Sequence, residues 1–379
     1  MKRVIIFGAT GSIGLQTLEV IRENPDEFEI VGLAVRENVK LLSRLAEEFK
    51  PKYLAIYSQK EDFPLLSYNP QIYTGKEGLE TLASVPADLI VMAISGISAI
   101  YPTKVAIQLG RKVAMATKEV IVTAGKFIKN WLTNSKAEII PVDSEHSAIF
   151  QLLQGRGDIE RIILTASGGP FYNKDLNYIM NAGIEEVLKH PRWNMGKKTT
   201  IDSANLVNKA LEIIEAHYLF DFPYNRIDVI IHPQSIVHGI IRFSDGSFMA
   251  HLSPTDMRFA IQYALFYPKR SSYVWQELDF SNLNLEFRSV DYDKFPIIRY
   301  VYDFVEKGDI YPVILAVSDE ILVNAFLEGR IKFYRIVPLI IKIMESWNDK
   351  IQIDSLDDLF EAIELIKNKA QYLIEREDY

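Results

Sequence analysis

The 379-residue chain predicts an α/β fold in three parts: an N-terminal Rossmann-like doubly wound sheet, an α+β middle domain and a C-terminal α-helical domain. Three observations predict it. Short β-branched runs alternate with helical periodicities up to residue 147, the mark of βαβ units and a parallel sheet covered on both faces. A glycine-rich turn follows the first of these runs. From residue 293 onward the pattern becomes almost wholly helical.

Residues 2–8 (KRVIIFG) form an apolar run that stops at glycine, and TGSIGLQTLEVIREN then places Ile13, Thr17, Val20 and Ile21 at helical spacing. FEIVGLAV (28–35) is a second strand, and NVKLLSRLAEEFKPKYLAIY repeats helix then strand. ADLIVMAI (87–94), a helix over 100–109, RKVAMAT (111–117) and AEIIPVD (137–143) continue the alternation. After Glu145 the style changes. RIILTAS (161–167) and DVIIHPQS (228–235) read as strands and residues 240–252 as a hairpin around a glycine turn, with a helix expected over 203–218. Four helical segments follow from 293; Gly308 and Gly329 fall where helices should stop, and Ser355 with Asp358 resembles a capping box. The expected division is 1–147, a nucleotide-binding domain; 148–267, the α+β domain; 268–292, a linker; and 293–379, the helical domain.

Composition narrows the function. A formal net charge of −8 argues against a nucleic-acid surface, so an anionic substrate has to be met by local donors. The absence of cysteine excludes disulfides, thiolate catalysis and Cys-ligated zinc. Lys2-Arg3 before VIIF imitates a signal peptide, yet the run ends in a glycine loop. Leu89–Pro102, taken as the longest weakly charged run, is too short to span a bilayer. The expectation is a soluble cytoplasmic protein without membrane or nucleic-acid partners.

Gly8, Gly11 and Gly14 stand between the first strand and the first helix as G-x-x-G-x-x-G. Small residues here let backbone N–H groups approach a pyrophosphate at the positive end of a helix. A tight turn without ligand is the alternative, and the position at the chain start within a βαβ pattern argues against it. At the end of the second strand, where NAD sites carry a carboxylate, the chain has Arg36. A guanidinium there suits a 2′-phosphate and favours NADP(H), with Glu37 beside it as a complication.

Asp143 and Glu145 in PVDSEHSAIF lie two apart at the end of an apolar run, so in extended backbone they face the same way. Metal, shared proton and water are all open at this point, and Asp143 alone could cap the helix that follows. Further on, Asn208, Lys209 and Glu212 share helical spacing, although a Lys209–Glu212 pair could be only a surface contact. Ser167, His190, Ser203, Asn208 and Lys209 are the donors a phosphate needs in a chain without net positive charge. Glu212 would complete with Asp143 and Glu145 an oxygen site for Mg²⁺ or Mn²⁺. Trp193, in a polar loop between Pro191 and Gly196, reads as a lid residue rather than core. His146 has no assignment.

GATGSIG, ATKE (116–119), VDSEH (142–146), SGGPF (167–171), HPRWNMGKK, DSANLVNKALE (202–212), IHPQS (231–235) and TDMR (255–258) occur in that order. In these motifs the chain resembles the 1-deoxy-D-xylulose 5-phosphate reductoisomerases of the non-mevalonate isoprenoid pathway, from residue 4 to about residue 340, including FLEGRIKF (326–333). The resemblance implies an NADPH- and metal-dependent rearrangement and reduction of that sugar phosphate to 2-C-methyl-D-erythritol 4-phosphate. The metal would be Mg²⁺ or Mn²⁺, with Co²⁺ a further option, and the assembly a homodimer joined through the 148–267 catalytic and dimerisation domain. It makes Asp143, Glu145 and Glu212 the metal ligands, with Lys118 and Ser144 at the substrate backbone. Ser167, His190, Ser203, Asn208 and Lys209 would hold the phosphate end, and Trp193 would close over the substrate. Thr10, Gly11, Ser12, Ile13, Arg36, Asn38, Thr117, Glu119, Met195 and Gly196 would line the NADPH site. Thr117 stands where the family has Asn, and Val35-Arg36-Glu37-Asn38 differs from the usual Gly-Lys-Asn; both departures touch cofactor contacts. A plain dehydrogenase of semialdehyde or homoserine type would need neither the three carboxylates nor a serine-rich pocket, and an NADPH-sensing module would lack turnover.

Overall fold

The computed structural model describes residues 1–58, 63–155, 157–193, 195–348 and 351–376. The chain forms two compact units, Met1–Gln151 with Asp256–Leu278, and Leu152–Thr255 with Asp279–Tyr379.

In the first unit the strands β1 (Lys2–Phe7), β2 (Phe28–Val35), β3 (Tyr53–Ile56), β4 (Gln71–Thr74), β5 (Leu89–Met92), β6 (Lys112–Met115) and β7 (Glu138–Pro141) make one sheet. Helices α1 (Ser12–Arg22), α2 (Val39–Phe49), α3 (Gly75–Ser84), α4 (Ile100–Gln108), α5 (Lys118–Thr133) and α6 (Ser144–Leu153) alternate with them. Strand order is β4-β3-β2-β1-β5-β6-β7, parallel throughout. The direction of winding reverses between β1 and β5, and outside the carboxyl ends of such strands lies the usual ligand crevice. Val4, Ile5, Ile6 and Phe7 of β1 are wholly buried, each stabilising the fold by about 1.5–3 kcal/mol relative to exposure. The strands expected from the alternation all form. Passed over were β4, a mostly exposed edge strand, and helices α3 and α5. A two-sided polar edge shows no period-2 contrast to read.

The second unit opens with β8 (Ile159–Ala166), followed by α7 (Leu176–Asn181), α8 (Ile184–Val187), α9 (Lys197–Ala204) and α10 (Val207–Phe220), then β9 (Ile227–Ile231) and the hairpin β10 (Val237–Phe243) and β11 (Phe248–Leu252). The sheet order is β11-β10-β8-β9, with β9 parallel to β8 and the other pairs antiparallel. The helix expected over 203–218 is in fact two. Leu206, 2% exposed, sits in the left-handed region at φ 61°, and Asn205 Oδ1 accepts from Val207 N at 3.0 Å to open α10. Ser203 therefore lies in the last turn of α9, not at a helix start.

The chain then returns to the first unit. Helix α11 (Met257–Phe266) buries Ile261, Ala264 and Leu265 in the core that holds Leu18, Val20 and Leu33. Lys2 Nζ donates to Leu265 O at 2.6 Å, and Arg258 reaches Glu19 at 3.4 Å. The grouping of segments therefore differs from the expected one: 256–278 packs with the nucleotide-type sheet, although residues to 267 had been placed in the middle domain and 268–292 in a linker. The remaining helices, α12 (Ile297–Val305), α13 (Ile310–Leu327), α14 (Ile336–Glu345) and α15 (Leu356–Glu375), share one compact unit with the second sheet instead of standing apart. Gly329, at φ 75°, follows α13, and the Ser355/Asp358 capping box opens α15 as its spacing indicated. Helix α13 is long and apolar enough to cross a bilayer, a run the sequence reading passed over, but 72% of it is buried inside the fold, as in a core helix.

If α11 belongs to the first unit, Leu265→Ala should destabilise by about 2–5 kcal/mol. Hydrogen exchange should then rise first in residues 1–151; faster exchange confined to 152–255 would refute the placement.

Candidate active site

The carboxyl ends of the first unit's strands collect the expected nucleotide residues. Gly8, directly after β1, has φ 84°, and a Cβ there would meet Ala93 O at 2.2 Å, so both the backbone and the approach of β5 require glycine. A Cβ on Gly14 would meet Gly8 O at 2.2 Å, which fixes how closely α1 packs on the loop. Gly11 is looser. It is the N-cap of α1 and offers no side-chain acceptor, and with Ser12 it is exposed, while Thr10 and Ile13 are half-buried. An uncapped helix start of this kind presents N–H groups and the positive dipole end to an anion.

Arg36 is exposed just past β2, its carbonyl pinned by Ser58 N at 2.7 Å. Two other expected cofactor residues have structural tasks. Asn38 Oδ1 caps α2 by accepting from Leu41 N at 3.1 Å. The Thr117 hydroxyl, buried at the start of α5, donates to Ile94 O at 2.6 Å and ties the ends of β5 and β6 together. That side chain is thus engaged by the protein's own backbone. Glu119 lies in the first turn of α5.

Past β7 the VDSEH segment turns directly into α6. Asp143 does cap that helix, accepting from Glu145 N at 3.2 Å, and it does more. Its Oδ2 takes the Lys118 ammonium at 2.8 Å, and its Oδ1 lies 3.1 Å from His146 Nδ1. His146 is wholly buried with its ring against Asp143. Ser144 Oγ donates to Glu145 Oε2 at 2.5 Å. Lys118, Asp143, Ser144, Glu145 and His146 thus form one cluster at the sheet edge.

The second unit gathers the expected phosphate donors. His190 Nδ1 accepts from the backbone N–H of Trp193 at 2.9 Å and of Arg192 at 3.2 Å, so the ring proton sits on Nε2. Nε2 lies 3.1 Å from both Ser167 Oγ and Ser203 Oγ. Burial pulls the His190 pKa down to about 4, leaving a neutral donor between two hydroxyls. The preceding glycine pair serves this grouping: a Cβ on Gly169, at φ 63°, would meet Ser203 O at 2.5 Å. On α10, Lys209 Nζ donates to Thr165 O at 2.5 Å and to Glu212, which also accepts from Asn208. Lys209 and Glu212 are 3% and 1% exposed, so the surface-pair reading is wrong. Trp193 is half-buried with its ring 6.0 Å from that of His238, and Arg192 donates to Pro233 O at 3.1 Å. Met195 is half-buried; Gly196 caps α9 in open space.

Sequence reasoning missed one charged group here. Lys198 lies 2.7 Å from Asp202 and 2.7 Å from Asp319, both carboxylates buried, linking α9 to α13. Lys198 and Asp202 at i,i+4, and an acid inside the apolar run of α13, were the available signals.

Comparison with known proteins follows the same line. A family model for 1-deoxy-D-xylulose 5-phosphate reductoisomerase matches residues 4–125, and two models of its C-terminal domains match 139–220 and 252–369. The reductoisomerase of Caldanaerobacter subterraneus subsp. tengcongensis is 46% identical, over 95% of this chain and 96% of its own. That of Thermoanaerobacter sp. strain X514 is 44% identical over 97% and 98%. A DOX-P reductoisomerase crystallised with NADPH, fosmidomycin and magnesium superposes with a TM-score of 0.92 at 33% identity, covering 99% of this chain and 98% of its own. The Zymomonas mobilis enzyme in complex with NADPH gives 0.90 at 33% identity, with 99% of both chains covered. With its glycine loop, carboxylate cluster and serine–histidine donors all on matched segments, the chain belongs to the 1-deoxy-D-xylulose 5-phosphate reductoisomerase family.

Proposed function

We propose that the chain converts 1-deoxy-D-xylulose 5-phosphate to 2-C-methyl-D-erythritol 4-phosphate by skeletal rearrangement followed by reduction with NADPH, with Mg²⁺ or Mn²⁺ required. The observation that carries this reading is the occurrence, on one chain of this family, of an uncapped nucleotide-loop helix and a half-buried, neutral serine–histidine–serine donor group. When bound, NADPH supplies the hydride and a divalent cation polarises adjacent carbonyl and hydroxyl oxygens.

Thr10, Gly11, Ser12 and Ile13 take the pyrophosphate at the start of α1, and Arg36 the 2′-phosphate, supported by its exposure just past β2. Ser167, His190, Ser203, Asn208 and Lys209 bind the phosphate ester with neutral donors and one ammonium, which suits a chain of net negative charge. Asp143, Glu145 and Glu212 are the cation ligands. The donor chemistry fits: carboxylate oxygens in a chain without thiols select a hard ion. Lys118 and Ser144 orient the substrate backbone, and Trp193 with Met195 excludes water from the aldehyde formed on rearrangement. Among the side chains, Glu145 and Lys118 are the candidates for proton transfer at the sugar. The working assembly is a cytoplasmic homodimer joined through the second sheet, in keeping with Phe248 and Met249 exposed on its edge strand β11.

NADPH oxidation should depend on 1-deoxy-D-xylulose 5-phosphate and stop in EDTA; full turnover in EDTA, or none with metal present, would sink the reading. Glu212→Gln should lose most turnover while NADPH affinity stays near wild type, and unchanged turnover at limiting Mg²⁺ would remove Glu212 from the metal. Arg36→Ala should raise the KM for NADPH well beyond its effect on NADH, whereas an equal effect on both would take the guanidinium off the 2′-phosphate. Light scattering should report twice the chain mass, and Phe248→Lys should shift it to one; a dimer unchanged by that variant would move the interface elsewhere.

A further inference from the structure

Lys209 and Glu212 form a buried ion pair on α10, with Asn208 as a second donor to the same carboxylate. The Lys209 ammonium is tied a second time, to Thr165 O at the end of β8, two residues before Ser167. We propose that Lys209 is an exchangeable counter-ion: it holds Glu212 until a divalent cation takes the carboxylate, and its ammonium then passes to the substrate phosphate, so cation and phosphate ester bind as a coupled pair. The inference rests on the reading of Glu212 as a cation ligand and of the serine–histidine group as a phosphate site.

Like-charge repulsion at the buried pair carries it. Glu212 and Lys209 together are neutral, and both are removed from water. A dication placed on the Glu212 carboxylate beside an unmoved ammonium would set like charges against each other in a desolvated place, which is strongly disfavoured. A phosphate dianion offers that ammonium a new counter-charge, and it needs donors where the ammonium is already tethered. Lysine is suited to such a transfer, since its compact charge rides on a flexible stem with three donors. The tie to Thr165 O keeps it near Ser167 when Glu212 is given up, and Asn208 keeps Glu212 oriented meanwhile. Lys118 on Asp143 repeats the arrangement in the first unit, at 2.8 Å and with both side chains 13% exposed. A lysine guarding a carboxylate is thus a recurring device here, not an isolated contact.

The test is calorimetric titration of the full chain with Mn²⁺, alone and with glycerol 3-phosphate as a phosphate-ester probe. In the wild type the ester should tighten Mn²⁺ binding by about fivefold or more, a typical coupling between two ligands. Lys209→Met should bind Mn²⁺ several-fold more tightly without the ester, and the ester should then change affinity less than about twofold, since the shared ammonium that links the two ligands is gone. Should that variant fold poorly, Lys209→Arg keeps the charge and grips Glu212 through its fork, so it should bind Mn²⁺ more weakly than wild type until the ester is added. Unchanged or weaker Mn²⁺ binding in Lys209→Met, coupling of wild-type size in that variant, or tighter Mn²⁺ binding in Lys209→Arg would overturn the exchange. Glu212→Gln separates the two levels: wild-type Mn²⁺ affinity in that variant would remove the underlying ligand assignment itself.

Discussion

An acidic chain that handles a phosphate ester and a dication must keep its few useful positive charges out of water without leaving them unpaired. The Lys209–Glu212 and Lys118–Asp143 contacts meet that constraint. Buried pairs of this kind are poor investments in stability, because desolvation cancels much of the Coulomb attraction. Their presence is better understood as storage of charge in a form that ligands can redistribute. The remaining donors, two hydroxyls and a neutral imidazole, add hydrogen bonds without adding charge. Lys198, shared between Asp202 and Asp319, shows the same economy of cations in the helix that carries Ser203.

Parallel-sheet geometry supplies the other half of the design. The segments of the first unit expected to serve the site start where strands stop: Gly8 after β1, Arg36 after β2, Thr117 after β6, Asp143 just beyond β7. The strands are short and buried, so their ends are held by the core while the side chains just beyond them stand at the usual ligand edge of such a sheet. Thr117 and Asn38 show the cost of that location. Both sit where a cofactor contact was expected, and both side chains also hold backbone in place.

Much of this was legible in the residues because the relevant spacings are local. A strand, a glycine turn and a helix within the first twenty-two residues can be read from pattern alone, as can Asp143 with Glu145 or Lys209 with Glu212. What escaped depends on partners far away in the chain. The break at Leu206 puts a buried leucine in the left-handed region, where no glycine or proline marks the place. Helix α11 has an unexceptional pattern, and only its packing on α1, more than two hundred residues earlier, shows where it belongs. The burial of Lys209 and Glu212 was likewise invisible, since exposed and buried pairs share one spacing.

That returning helix also bears on how the protein comes into being. The first unit is not complete at residue 151, because Ile261, Ala264 and Leu265 are part of its core and emerge from the ribosome only after the second sheet has been translated. Domains ordinarily fold in turn from the N-terminus as they are synthesised. Here the nucleotide sheet must wait with an apolar groove open while the second sheet is made. The two units are thereby born interleaved, and neither an N-terminal fragment nor a nascent chain shorter than about the first 278 residues has everything it needs to close its core.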